Sequence, residues 1–241
     1  MVCARREGTR PSCPSLWCVA VTLVLGGVRS GKSRYAESLL SHRLDVTYVA
    51  AGARPADPGT DPEWAARVRA HQHSRRTSWR TRETTDLVGV LAESGGALLI
   101  DCLGTWITAL IDRADAWEHP TAAALLVQRE GTALIEALQA TDRTVVVVSN
   151  EVGLSLVPVT PSGRVFQDEL GRLNAAVADV ADRVVLVVAG RVLELTDAPR
   201  VPELSAPALA PQDRATLAAD SPHLSQTQDR APQDRAPQDA P

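Results

Sequence analysis

Gly26-Gly27-Val28-Arg29-Ser30-Gly31-Lys32-Ser33 is the segment whose residue types and spacing point most directly to chemistry. Glycines at its first and sixth positions let the backbone curl, so that successive N–H groups point inward at phosphate oxygens. Lys32 then reaches the β and γ phosphates of a nucleoside triphosphate, and the Ser33 hydroxyl ligates Mg2+. An apolar run precedes the segment and a helical pattern follows it, which is the context that brings the dipole of a helix N-terminus to the anion. Gly26, Gly27, Val28, Arg29, Ser30, Gly31, Lys32 and Ser33 are therefore the candidate phosphate cradle.

Asp101 closes the run Ala97-Leu98-Leu99-Ile100. A carboxylate at the carboxyl end of a strand can enter the magnesium coordination sphere, which makes Ser33 and Asp101 the candidate metal residues. A third group lies between them. Thr60-Asp61-Pro62-Glu63 has the composition of a helix start, and Arg67, His71 and Arg75 follow at spacing four on one helical face. Arginine pairs bidentately with phosphate, and a neutral imidazole can attack phosphorus. Adjacent positive charge lowers the imidazole pKa and keeps the nucleophile unprotonated. Spacing alone favours a solvated basic face over a catalytic one. Asn150 and Glu151 follow a buried strand, where an α/β sheet binds ligands, and a polar strand-end turn is the other reading of that pair.

These residues need a scaffold that presents strand ends. Near-continuous apolar, β-branched runs at Val19 to Leu25, Val46 to Ala51, Ala97 to Asp101, Thr144 to Ser149 and Val184 to Ala189 read as strands buried on both faces, with Val192 to Leu195 as a last one. Helical patterns fill the gaps: Lys32 to Ser41, residues 63–75, Thr105 to Ile111, Thr121 to Ala140 and Arg164 to Ala181. The last carries an apolar stripe of Phe166, Leu170, Leu173, Val177 and Val180. Strand and helix alternate, so the expected fold is α/β, of the P-loop (RecA-like) type, a mostly parallel sheet flanked by helices.

The 241 residues hold 25 Lys plus Arg against 29 Asp plus Glu, a net charge of −4, which excludes the global positive field of a nucleic-acid binder. No apolar run approaches the ~18 residues of a membrane span. The longest, Cys18 to Val28, runs into the phosphate cradle, so cleavage there as a secretory signal would damage the motif. Cys3, Cys13, Cys18 and Cys102 show no CxxC pair and no His at metal spacing, as expected of reduced thiols in a cytoplasmic protein; Cys102 reads as a small core residue, with a pocket position as the other reading. Half of the 16 prolines fall after Asp197, where APQDR repeats. The expected organisation is an N-terminal extension at 1–18, a catalytic domain at 19–196 and a disordered tail at 197–241.

Taken together, the residues resemble the bifunctional adenosylcobinamide kinase and adenosylcobinamide-phosphate guanylyltransferase family of cobalamin biosynthesis. The matching text is GGVRSGKSRYAE from Gly26, TYVA from Thr47, RVxxHxxxR from Arg67, WRTRE from Trp79, LLIDCLGTW from Leu98, SNEVGLSLVP from Ser149 and RVFQDELGRLN from Arg164. The resemblance implies that ATP or GTP phosphorylates adenosylcobinamide, after which GMP passes from GTP to adenosylcobinamide phosphate through a GMP-histidine. It implies His71 as the guanylylated residue. Ala51, Gly52, Ala53, Gln72, His73, Ser74, Arg75, Glu83 and Asp101 fall at the family's other GTP-contacting positions. It also implies a homotrimer with sites near subunit boundaries. Val28 stands in place of the family's usual Ala, Ser155 of a Gly, Gln167 of an Arg and Ala175 of a Gln. A RecA-like ATPase and a small-molecule kinase lacking the transfer step are the rival functions.

Overall fold

The computed structural model describes residues 21–52 and 78–201. The chain divides into two units, Met1–Ala198 and Pro199–Pro241, and all the described elements belong to the first. In order they are β1 (Val21–Gly26), α1 (Lys32–Leu39), β2 (Thr47–Ala50), β3 (Arg80–Glu83), α2 (Leu87–Ala92), β4 (Leu98–Asp101), α3 (Leu103–Arg113), α4 (Pro120–Ala140), β5 (Val145–Asn150), α5 (Pro161–Val180), β6 (Arg183–Val188) and β7 (Arg191–Glu194). No helix of the described residues is long and apolar enough to cross a membrane.

The strands form one sheet in the order β3-β2-β4-β5-β1-β6-β7, parallel except where β7 returns against β6. The Val, Ile and Leu runs form its centre because both of their faces are covered. One alternate set, including Leu23, Leu98, Ile100, Val145 and Val147, packs with α2, α3, α4 and α5. The other, including Val24, Leu99, Val146 and Val148, packs with Ala36 and Leu40 of the α1 region. Side chains alternate between faces along a strand, so a residue's parity fixes which helix layer it meets.

Two elements have no periodic signature in the sequence. β3 is the polar run Arg80–Glu83 at the sheet edge, paired among the described strands only with β2. Its anchor is the preceding Trp79, which is buried and donates from Nε1 to Arg43 O at 3.1 Å. α2 spans under two turns, too short for a helical period to show, and is fixed by the Asp86 carboxylate accepting from Gly89 N at 2.8 Å. α5 begins earlier than its apolar stripe, because Thr160 caps it by accepting from Gly163 N and Pro161 takes the first helical position. The helix expected at 63–75 and the extension at 1–18 lie outside the described residues, as does the tail beyond residue 201.

The β6–β7 hairpin turns through Ala189 and Gly190, both with positive φ of 49° and 70°, the left-handed pair that a tight hairpin requires. From this turn Gly190 N donates to Ser30 O at 3.0 Å, so the hairpin braces the loop after β1. Gly190→Ala should therefore lower stability by about 1–2 kcal/mol, read as a shift in urea midpoint at unchanged slope. An unchanged midpoint would contradict the left-handed turn.

Candidate active site

The loop between β1 and α1 owes its shape to two glycines. A Cβ on Gly26 would lie 2.5 Å from Ser30 Oγ and 2.7 Å from the Val187 carbonyl oxygen, so no larger residue fits where β1 ends. Gly31 caps α1 with φ of 98°, a conformation that glycine adopts at little cost. Between them Ser30 N donates to Gly27 O at 3.3 Å, and Ser30 Oγ accepts from Lys32 N at 3.3 Å. No side chain caps α1, and Lys32 Nζ lies over the loop, donating to Gly27 O at 3.3 Å. Backbone donors, a helix N-terminus and an ammonium thus share one turn, the combination that binds a polyphosphate.

Parallel register brings the remaining strand ends beside this loop. Gly26 pairs with Asn150, Val148 with Asp101, Asp101 with Ala50 and Ala50 with Glu83. Parity then selects the face. Asp101 lies two residues beyond Leu99, and Asn150 two beyond Val148, so both belong to the face that α1 covers. The Tyr48 hydroxyl, from the same face of β2, donates to Asp101 Oδ2 at 2.8 Å. Ala51 N donates to Asp101 O at 3.3 Å, and Gly52 sits against Thr105, whose Cβ lies 3.1 Å from where a Gly52 Cβ would be.

Cys102 follows Asp101 through a cis peptide bond. Its N–H donates to Thr105 Oγ1 at 3.3 Å, the Thr105 hydroxyl donates to Cys102 O at 2.9 Å, and its thiol donates to Asn150 Oδ1 at 3.5 Å. The side chain packs at the edge of the α1-side core, as expected of a small core residue, and also touches the strand-end edge. Burial pushes the thiol above the ordinary cysteine range, and the Asp101 carboxylate adds to this; the Thr105 bonds and the Lys32 ammonium act in the opposite direction.

The end of β5 is held from the other face. Ser149, fully buried, donates from Oγ to Asn174 Oδ1 at 2.6 Å, and Asn174 Nδ2 donates to Asn150 O at 3.0 Å. Glu151 N donates to Gly26 O at 3.1 Å, while the Glu151 carboxylate turns back to accept from Gly153 N at 2.7 Å. The following loop exposes Leu154, Leu156, Val157 and Val159. Gln167 of α5 ties that loop down, donating from Nε2 to Val152 O at 2.8 Å and Ser155 Oγ at 3.2 Å. Gln167 and Ser155, two departures from the family's usual residues, therefore touch each other. With Gly153, Val157, Asp168 and Arg172 they line an open groove of about 430 Å³.

Gly26 to Ser33, Ala51, Gly52, Glu83 and Asp101 thus converge at the carboxyl edge of the sheet. Ala53, His71, Gln72, His73, Ser74 and Arg75 lie outside the described residues. Tyr48 and Asn174 fall within the matching text TYVA and RVFQDELGRLN but carry no role in the sequence, because they sit inside ordinary strand and helix patterns, and Gly190 is a turn glycine whose partner is remote. Trp106 is packing: it is buried and donates from Nε1 to Thr85 O at 2.8 Å.

Comparison with known proteins places this geometry in context. The family model described as cobinamide kinase / cobinamide phosphate guanyltransferase matches residues 22–195. The bifunctional adenosylcobalamin biosynthesis protein CobU of Salmonella typhimurium is 36% identical over 178 residues, covering 70% of this chain and 95% of that protein. The bifunctional adenosylcobalamin biosynthesis protein CobP of Pseudomonas aeruginosa is 38% identical over 182 residues, covering 73% and 98%. Among solved structures, a type III secretion system ATPase of pathogenic bacteria matches with a TM-score of 0.41 at 13% identity, over 69% of this chain and 50% of that one.

The raised thiol pKa sets an expectation for alkylation. At pH 8, iodoacetamide should modify Cys102 at least about tenfold more slowly in the folded protein than in urea, followed by peptide mass mapping, because little thiolate is present and access is poor. Equal rates would contradict the burial. Gly26→Ala should cost about 1–3 kcal/mol of stability, measured by denaturant unfolding, since its new methyl meets a backbone carbonyl that has nowhere to move.

Proposed function

The chain belongs to the cobinamide kinase / cobinamide phosphate guanyltransferase family, and we propose that it carries out both reactions on one corrinoid. In the first, the aminopropanol hydroxyl of adenosylcobinamide attacks the γ phosphorus of ATP or GTP. The new O–P bond forms as the bond to the β-phosphate oxygen breaks, the nucleoside diphosphate leaves and the hydroxyl proton is lost. In the second, the His71 imidazole attacks the α phosphorus of GTP and pyrophosphate leaves. The phosphate of adenosylcobinamide phosphate then displaces His71, giving adenosyl-GDP-cobinamide.

The observation that carries this reading is the meeting of Gly26–Ser33 with Asp101 on one face at one sheet edge. The loop N–H groups and Lys32 neutralise charge that moves onto the departing phosphate in either reaction, which is where fixed donors lower a barrier. Ser33 and Asp101 offer only oxygen donors, the set that suits Mg2+, and Tyr48 orients the Asp101 carboxylate. When bound there, Mg2+ supplies charge neutralisation of the phosphate oxygens. Gln72, His73, Ser74, Arg75, Glu83 and the Ala51–Gly52–Ala53 turn serve as the further nucleotide contacts. The resemblance also implies a homotrimer, and the exposed Leu154, Leu156, Val157 and Val159 are suited to burial in an assembly of that kind.

GTP labelled at the α phosphorus should tag the protein through an acid-labile, alkali-stable bond, the signature of a phosphoramidate. His71→Ala should reduce that label on the order of a hundredfold or more, while phosphorylation of adenosylcobinamide survives. Products resolved by mass should include both the phosphate and the GDP-linked corrinoid. A variant that labels as well as wild type removes His71 from the mechanism. Phosphorylation with no label in the wild type leaves a kinase without the transfer step.

A further inference from the structure

Asn150 is the residue of β5 that faces both halves of the cradle. It pairs in register with Gly26, where the phosphate loop begins, and its strand lies between β1 and β4, the strand that ends on Asp101. Its parity places it on the face of α1. The two ends of its side-chain amide are differently employed. Oδ1 accepts from the Cys102 thiol at 3.5 Å, and the Nδ2 amide donates to no described residue. Its main chain is pinned separately, through Asn174 Nδ2 to Asn150 O at 3.0 Å, and Glu151 N to Gly26 O at 3.1 Å.

We propose that the Asn150 Nδ2 amide donates a hydrogen bond to the terminal phosphate of a triphosphate seated on Gly26–Ser33, and that Cys102 is the positioning residue that sets its direction. The inference rests on the nucleotide half of the proposed function and is independent of the corrinoid. The loop N–H groups and the N-terminus of α1 take the inner phosphates, so the strand end facing them from β5 is left for the outermost one. With the oxygen end of the amide occupied by a thiol, the donor end turns the other way. A hydrogen bond from a neutral amide to an anionic phosphate exceeds one between neutral groups, and a nucleoside diphosphate lacks its acceptor. Asn150 should therefore contribute to triphosphate affinity and not to diphosphate affinity.

The test is isothermal titration of the full-length protein with Mg2+ and either GDP or the β,γ-imido analogue of GTP. Asn150→Ala should weaken the triphosphate analogue about tenfold and GDP by less than twofold. Asn150→Leu, close in shape and uncharged but without a donor, should show the same selective loss and decides the matter if the alanine variant does not fold. Cys102→Ala should lose part of the preference for triphosphate, and Cys102→Ser, which keeps a donor, should restore it. An unchanged ratio of the two affinities in the Asn150 variants overturns the proposal, as does an equal loss of both. Equal behaviour of Cys102→Ala and Cys102→Ser overturns the positioning role of the thiol.

Discussion

Parallel hydrogen bonding among β4, β5 and β1 is the constraint on which the chemistry of this protein depends. Because the three strands run in the same direction and end within a residue or two of each other, Asp101, Asn150 and Gly26 come to one edge without any contact designed between them. Register does more than bring them close. A slip of one residue would turn Asp101 and Asn150 to the face of α3, α4 and α5, away from the loop that opens α1. The continuous burial of Val145 to Ser149 and Leu98 to Ile100 on both faces is what forbids such a slip, since it would disturb two packed layers at once.

The edge is secured by polar groups that belong to the scaffold and not to a ligand. Ser149 and Asn174 satisfy each other in the core and, through Asn150 O, fix where β5 ends. Tyr48 performs a similar task for Asp101, Thr105 for Cys102 and Gly190 for Ser30. Buried polar pairs of this kind are costly when half satisfied, so they specify one arrangement of the loops above them. The exposed surface ion pairs, such as Arg82 with Glu93, add little by comparison because solvent screens them.

What sequence could reveal follows from which signals are local. The phosphate loop is legible because its glycines, lysine and serine act within eight residues, and Asp101 because it ends an apolar run. The central strands are legible because burial on both faces leaves an unbroken β-branched text. β3 is not, since an edge strand paired on one side needs no apolar pattern, and its anchor, Trp79, precedes it. Asn174 is hidden for a different reason: beside Leu173 in an amphipathic helix it counts as one more polar position, and only the approach of α5 to the end of β5 gives it a partner. Glu169 illustrates the same limit, because a carboxylate in a helical pattern is expected outside, yet it is buried with Arg172 and Gln128 as partners. The contact between Gln167 and Ser155 likewise links positions twelve residues apart that sequence presents as unrelated departures.

A crystal structure of the protein with Mg2+ and the β,γ-imido analogue of GTP tests the central claim most directly. The phosphates should lie within hydrogen-bonding distance of the loop N–H groups of Gly26–Ser33, with the metal between the Ser33 hydroxyl and the Asp101 side and the outer phosphate facing β5. Phosphates bound elsewhere, or a chain whose β4 and β5 ends do not border the nucleotide, would contradict the account.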